Sequence, residues 1–235
     1  MSSGLYETPR IHIVGDRGLL VEYGDRIDPV VNKKVISMAI VLEHDAPAGV
    51  VEIIPSYLSL LMIYDPSVTT ASALQESLIS LERRLTEIEF PPPKTVEIPV
   101  CYGGEFGPDI EFVAESNNLT VDDVIRLHSQ PAYQIFMIGF SPGYPYLGGL
   151  PREIHTPRLK TPRTRVLGGS VGIANEQTGI YPVTSPGGWQ LIGRTPLTLF
   201  NPERSNPFLY RAGDRIRFKP ISPEEYSRLA EREIP

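Results

Sequence analysis

The sequence predicts two domains of different class, an α+β domain over residues 1–90 and an all-β sandwich or barrel over residues 94–235. Three observations carry this. Long helical periodicity is confined to the first 90 residues, where it alternates with short strands. Pro91-Pro92-Pro93 is a stiff break between them. The stretch from Gly139 to Pro196 then holds 11 of the 20 glycines and the only tryptophan. No long helix fits through it, and its apolar residues fall in short runs bounded by turn residues.

In order, Arg10 to Val14 and Leu19 to Tyr23 alternate as strands around a Gly15-Asp16-Arg17-Gly18 turn. Asp28 is an N-cap with Pro29 at the first helical position. Val31, Val35, Met38 and Leu42 recur at helical spacing, which predicts a helix over 29–44. Val50 to Ile54 and Leu58 to Tyr64 are two more strands. Asp65-Pro66 repeats the Asp-Pro start, and Ala71, Leu74, Leu78, Leu81, Leu85 and Ile88 mark a second helix. This half therefore reads as two ββα units making one sheet and two helices.

Beyond the prolines, Thr95 to Val100 is a strand and Cys101 to Pro108 a Gly-rich loop. Short helices follow at Asp109 to Glu115 and at Val121 to Ser129, the second capped by Thr120 with Asp123 in its first turn. Ala132 to Ile138 is a strand. The short runs Val166 to Leu167, Val171 to Ala174, Ile180 to Val183 and Leu191 to Ile192 follow. Leu197 to Phe200 and Asp214 to Phe218 are read as the last strands, and Ser222 to Pro235 as a charged tail with a short surface helix.

The chain has 235 residues, is 41% hydrophobic and 21% charged, and has a net charge of −6. That composition is of a soluble globular protein. No apolar run reaches the length of a membrane span, and the N-terminus lacks an apolar signal-peptide core. A single cysteine, Cys101, excludes an internal disulfide and a cysteine-based zinc site. These features fit a cytoplasmic protein. Charge is unevenly spread: residues 152–219 carry nine Arg and two Lys against four acids, +7, which leaves −13 elsewhere. A basic field in an acidic protein suits a small anionic ligand or an acidic partner. It does not suit nucleic acid, which the overall charge repels.

Two familiar motifs fail on mechanism. Gly139-Phe140-Ser141-Pro142-Gly143 has the G-x-S-x-G spelling of a nucleophile elbow, but Pro142 has no N–H for an oxyanion hole. Ser141 is thus a turn or ligand-contact hydroxyl. Gly168-Gly169-Ser170-Val171-Gly172 lacks the Lys-Ser/Thr of a phosphate loop. The four histidines, at 12, 44, 128 and 155, have no partner at metal-ligand spacing, so no metal is expected. What remains is cationic. Pro157-Arg158 and Pro162-Arg163 place two guanidinium groups on stiff segments, and Arg194 follows Gly193. Arginine suits bidentate recognition of carboxylate or phosphate. Pro186-Gly187-Gly188-Trp189-Gln190 offers backbone N–H groups beside an indole and an amide. Arg158, Arg163 and Arg194 are therefore either anion-binding groups or cations decorating a barrel surface, with Trp189 on a tight turn over the core. Ser141, Gly143, Tyr144, Gly187, Gly188 and Gln190 are the expected substrate contacts, in one anion-binding groove.

The blocks FSPGYPYLGGLP, PRLKTPR, GGSVGIA and TGIYPVTSPGGWQLIGRTP together resemble the 5-oxoprolinase B-subunit family, also called allophanate hydrolase subunit 1, which includes an inhibitor of a sporulation histidine kinase. The motif run covers residues 133–219. Leu167-Gly168 stands where a familiar form has Pro-Ala, and Tyr144 where Phe is usual. The resemblance implies a cyclophilin-like β-barrel after a smaller α+β domain. It implies a main interface with the 5-oxoprolinase C subunit. With the A subunit added, it implies an assembly that uses ATP to open 5-oxoproline to glutamate. It implies the catalytic role for Arg158, Arg163 and Arg194. It also implies two alternatives: a regulator that binds a sensor histidine kinase, and a part of a urea carboxylase or allophanate hydrolase system. Peptidyl-prolyl isomerase activity would rest on fold alone.

Overall fold

The computed structural model describes residues 4–85 and 92–233. Its contacts divide the chain into two compact units, 1–92 and 93–235. Ile88 and Pro91, used above for the second helix and the break, lie outside the described residues.

The first unit runs β1 (Leu5–Val14), β2 (Gly18–Gly24), α1 (Pro29–His44), β3 (Val50–Pro55), β4 (Ser59–Tyr64) and α2 (Ala71–Arg84). The strands form one antiparallel sheet in the order β1-β2-β4-β3. Alternation sends Leu19, Val21 and Tyr23 of β2 and Leu60, Met62 and Tyr64 of β4 into the core, where they meet Val31, Val35, Met38 and Leu42 of α1 and Leu74 and Leu78 of α2. Leu60 is fully buried, so Leu60→Ala should cost about 2–5 kcal/mol. Asp28 caps α1 by accepting from Val30 N at 2.8 Å. The second Asp-Pro does not start a helix. Asp65 is consumed by a tight turn, accepting from both the amide and the hydroxyl of Ser67, and α2 begins only after a Thr70 cap.

The second unit contains β5 (Thr95–Tyr102), α3 (Ile110–Ser116), α4 (Val121–Ser129), β6 (Ala132–Gly139), β7 (Tyr144–Gly148), β8 (Arg163–Val166), β9 (Ser170–Ala174), β10 (Gln177–Ile180), β11 (Ser185–Gly187), β12 (Gln190–Arg194), β13 (Arg215–Pro220) and α5 (Pro223–Glu233). Seven strands close a mixed barrel in the order β10-β7-β6-β13-β5-β12-β9. Only the β5–β13 pair is parallel. β8 and β11 form a separate two-stranded ribbon. The barrel core is dominated by branched side chains such as Ile98, Val100, Ile135, Val171, Ile173, Ile192 and Ile216. Thr120 and Asp123 complete a reciprocal capping box at the start of α4.

His128, at the end of α4, is buried in that core and stacked on Phe218 at 4.5 Å. Thr178 Oγ1 donates to the Gly172 carbonyl, so it must accept from His128 Nε2–H at 2.8 Å. Nδ1 is then the acceptor for the Tyr102 hydroxyl, also at 2.8 Å. Burial pulls the imidazole pKa down from 6.5 to about 3, so His128 is neutral at physiological pH.

Leu197 to Phe200 does not form the expected strand. Thr195 still bonds Gly169, but Pro196 has no N–H to continue the ladder, and only Phe200 makes an isolated bridge, to Phe208. Pro182 likewise follows the end of β10 at Ile180, and Val183 is left partly exposed. β7 and β11 were not anticipated. β7 pairs back on β6 through a turn in which Phe140 at φ +59° and Gly143 at φ +83° are left-handed.

Candidate functional site

The segments PRLKTPR and SPGGWQ, well separated in sequence, are stitched side by side. Arg163 pairs with Gly187 in the β8–β11 ribbon. Leu159 N donates to the Gly188 carbonyl at 2.7 Å, and Gln190 Nε2 donates to the Pro157 carbonyl at 2.8 Å. Both neighbours of Arg158 are therefore pinned, and its exposed side chain arches over Gly188. A Cβ on Gly188 would lie 3.3 Å from Arg158 Nη2 and 3.4 Å from Pro162 Cγ, so glycine gives the guanidinium its seat. Among the described residues no carboxylate lies within ion-pairing distance of Arg158.

Arg163 is differently placed. Its Nη2 donates to both carboxylate oxygens of Asp109, at 2.7 and 2.9 Å, and its Nη1 donates to the Trp189 carbonyl at 3.3 Å. Asp109 Oδ2 also accepts from Leu191 N at 2.6 Å. Asp109 occupies the N-cap position of α3 but makes no side-chain cap bond, because its carboxylate is turned to Arg163 and β12. Arg163 is thus a clamp that holds the Trp189 turn, with its charge largely met. Asp109 was missed because a sequence shows an N-terminal helix residue there, and its true partner is 54 residues away.

Behind this face sits an aromatic cluster. Tyr181 and Trp189 each meet Tyr144 edge-to-face, at 5.6 and 5.9 Å, and Tyr146 packs on Tyr144 at 5.1 Å. Tyr181 is 2% exposed, and a Cβ on Gly187 would overlap its hydroxyl. From sequence alone Tyr181 is only part of an apolar run. Burial raises its pKa, while the Trp189 backbone N–H on the phenol oxygen and the nearby charges of Arg158 and Arg163 pull the other way.

The remaining expected residues stand elsewhere. Arg194, at the far end of β12 from Gln190, donates from Nε to the Gly168 carbonyl at 2.9 Å. Its charge is felt by Tyr226 of α5, whose pKa is raised chiefly by burial. Ser141 lies in the β6–β7 turn with its Oγ shielded from solvent and without a hydrogen-bond partner. The Gly143 carbonyl accepts from the Tyr210 hydroxyl at 2.8 Å. Tyr144 contributes its ring to the cluster. Arg158, Arg163, Gly187, Gly188 and Gln190 are thus brought together, with Asp109, Tyr181 and Trp189 added.

The Gly168-Gly169 loop has spent its amides, with Gly169 N on the Tyr181 carbonyl at 2.6 Å and Gly168 N on Thr184 Oγ1 at 3.3 Å. It presents no phosphate cradle. Among the described residues no group of three or more His, Cys, Asp or Glu could hold a metal ion, and no helix is long and apolar enough to cross a membrane.

Residues 9–210 match the family described as the carboxyltransferase domain, subdomain C and D. The chain is 42% identical over 227 residues to the 5-oxoprolinase B subunit of Bacillus subtilis (strain 168), covering 92% of this chain and 95% of that protein. It is 35% identical to the solved protein TTHA0988, with a TM-score of 0.79. That match covers 88% of this chain but spans only 40% of TTHA0988. Kluyveromyces lactis urea carboxylase shares the fold over 96% of this chain, at 24% identity and a TM-score of 0.74, the match spanning 23% of that enzyme. With a family match over most of its residues and near end-to-end likeness to a named relative, the chain belongs to the carboxyltransferase subdomain C and D family, among the 5-oxoprolinase B-subunit proteins.

Proposed function

We propose that this chain is the B subunit of an ATP-dependent 5-oxoprolinase, acting in the cytoplasm with the C and A subunits of that enzyme. The assembly converts 5-oxoproline, ATP and two waters to glutamate, ADP and phosphate. A lactam is a poor electrophile; phosphorylation of its oxygen by ATP makes the ring carbon open to water. The observation that carries the reading is Arg158, a guanidinium with no carboxylate partner among the described residues, held over Gly188 by bonds to both neighbouring residues. A rigid, planar cation at a glycine surface is suited to a small carboxylate such as that of 5-oxoproline. Among the described residues gathered there the one carboxylate, Asp109, is already taken by Arg163 and Leu191 N, and the Gly168 and Gly169 amides are bonded within the fold. The partner chains therefore supply the ATP site and complete the active site against this cyclophilin-like barrel. The test is ATP-dependent release of glutamate from 5-oxoproline. The chain alone should show none, and mixing with the C and A subunits should restore it. Robust turnover by the chain alone, or none by the full mixture, overturns the reading.

The fold shared with urea carboxylase supports a second reading, a carboxyl-transfer component, for which the same Arg158 face would hold a carboxylated ligand. Urea-dependent ATP consumption by the same mixture, without 5-oxoproline, would favour it. A regulatory complex with a sensor histidine kinase is the third; co-purification with a kinase when the C subunit is left out would favour that one.

A further inference from the structure

Three consecutive residues of the SPGGWQ turn each share one bond with the strap that carries Arg158. The Gly188 carbonyl accepts from Leu159 N at 2.7 Å, the Trp189 carbonyl accepts from Arg163 Nη1 at 3.3 Å, and Gln190 Nε2 donates to the Pro157 carbonyl at 2.8 Å. Only the third is made by a side chain of the turn. A carbonyl can only accept, so the Gln190 amide turns its NH2 toward Pro157. Gln190 is 3% exposed and its backbone is paired with Ile173 of β9. The barrel wall therefore holds its root while its head grips the strap.

That bond fixes a direction. The Pro157 carbonyl and the Arg158 N–H belong to one planar peptide. The Pro157 ring locks φ, which leaves ψ as its one soft backbone torsion, and holding the carbonyl stops that rotation. On the other side of Arg158 the next peptide plane is held through Leu159 N. The Arg158 Cα is the corner where two fixed planes meet, so the exit of its side chain is set. The guanidinium is then delivered over Gly188.

We infer that Gln190 is a positioning residue for Arg158: its carboxamide aims the guanidinium at the substrate carboxylate and acts on the ligand only through it. The inference rests on the Arg158 face being the substrate site. Without the bond, the carbonyl of the exposed Pro157 turns to water, while the Leu159 and Arg163 bonds keep the strap folded. Arg158 then leaves the one direction in which its planar fork meets a carboxylate. The carboxylate of 5-oxoproline is not the reacting group, so the loss falls on KM and spares kcat.

Trp189 is the only tryptophan and adjoins Gln190, so its fluorescence reports the site in the full-length chain. The experiment titrates 5-oxoproline into the wild-type chain, Gln190→Met, Arg158→Ala and the double variant, and measures KM and kcat in the mixture with the C and A subunits. Gln190→Met keeps the length of the side chain and loses the donor. It should weaken 5-oxoproline binding and raise KM by about tenfold, with kcat changed by less than about twofold. In the Arg158→Ala background the same substitution should weaken binding no further, whereas its effect on the melting temperature should be the same in both backgrounds. Gln190→Leu, a second variant without a donor, should repeat both results. Equal weakening in both backgrounds would mean that Gln190 touches the ligand itself or is structural only, and would overturn the inference. Unchanged binding in both Gln190 variants overturns it as well, and so does failure of the wild-type chain to bind 5-oxoproline, alone or with its partners. Turnover separates the two proposals. Binding without glutamate release defeats the 5-oxoprolinase reading and leaves Gln190 in place. Glutamate release with wild-type KM in Gln190→Met defeats Gln190 alone.

Discussion

Asp109 grips Arg163 through both carboxylate oxygens while its backbone N–H and carboxylate hold opposite sides of Leu191. One acidic residue thereby ties the start of α3, the ribbon and β12 to one another, and the Trp189 turn hangs on the result.

Breaking that pair should be felt as stability. Asp109 is 14% and Arg163 30% exposed in their side chains, so the pair is neither dry nor fully screened. Asp109→Ala should cost about 2–4 kcal/mol, since it strands a half-buried guanidinium and the Leu191 amide. Arg163→Ala should cost a similar amount. In a double-mutant cycle by urea unfolding the two losses should not add, with a coupling of about 1–2 kcal/mol. Additive losses would mean the contact carries no energy.

Arg158 should behave in the opposite way. It is exposed and has no carboxylate partner among the described residues, so Arg158→Ala should shift stability by less than about 0.5 kcal/mol. Reconstituted kcat/KM for 5-oxoproline should nevertheless fall by about a hundredfold. Arg158→Lys should recover little, because a point charge does not reproduce the planar fork. Full activity in the alanine variant would reduce Arg158 to surface decoration.

Arg194 separates from that pair in its expected phenotype. Its Nε is committed to the Gly168 carbonyl, so Arg194→Ala should lower the melting temperature by a few degrees. If it also lowers activity while leaving 5-oxoproline binding at Trp189 intact, its contribution is to partner docking, which pull-down with the C subunit will read directly.

The buried imidazole of His128 predicts a pH dependence. The folded pKa, about 3, lies below the unfolded value near 6.5, so the unfolded chain binds the extra proton between them. Stability is fully present above about pH 6.5 and is lost as pH falls toward 3, by up to about 1.4 kcal/mol per pH unit. Between pH 6.5 and 5, where most carboxylates remain ionised, His128→Gln should be less stable overall yet lose most of that slope. An unchanged slope in the variant would place the titration elsewhere.

A fragment from Pro93 to the C-terminus should unfold cooperatively with a β-rich spectrum. The closed barrel supplies its own core, and Lys94 N on Asp214 Oδ1 at 3.0 Å anchors its first residues. A molten fragment would show that residues 1–92 are required.

Local chemistry was readable in the sequence wherever cause and effect sit within four residues. Asp28 on Val30 and Thr120 with Asp123 are such cases, and so are the helical stripes of α1 and α2. Asp65 shows the limit even there, because Ser67 offered it a better local bond than a helix. The barrel strands are four to eight residues long, and their pairing partners cannot be seen from spacing. Glycine and proline announced turns but not that β8 would pair with β11. At the site, the arginines announced themselves by Pro and Gly neighbours. Asp109 and Tyr181 did not, since the residues that each side chain packs or bonds against lie more than five residues away.

The parallel seam between β5 and β13 joins the first and last strands of the barrel, with 120 positions between Lys94 and its partner Asp214. During synthesis the residues of β5 leave the ribosome long before either flanking strand, β12 or β13, exists. Ile98 and Val100 must wait with an unpaired edge beside them, the condition under which nascent chains aggregate. Closing so long a loop is also slow. The barrel is consequently a late-maturing structure, and the interval before Arg215 emerges is when a chaperone has most to protect.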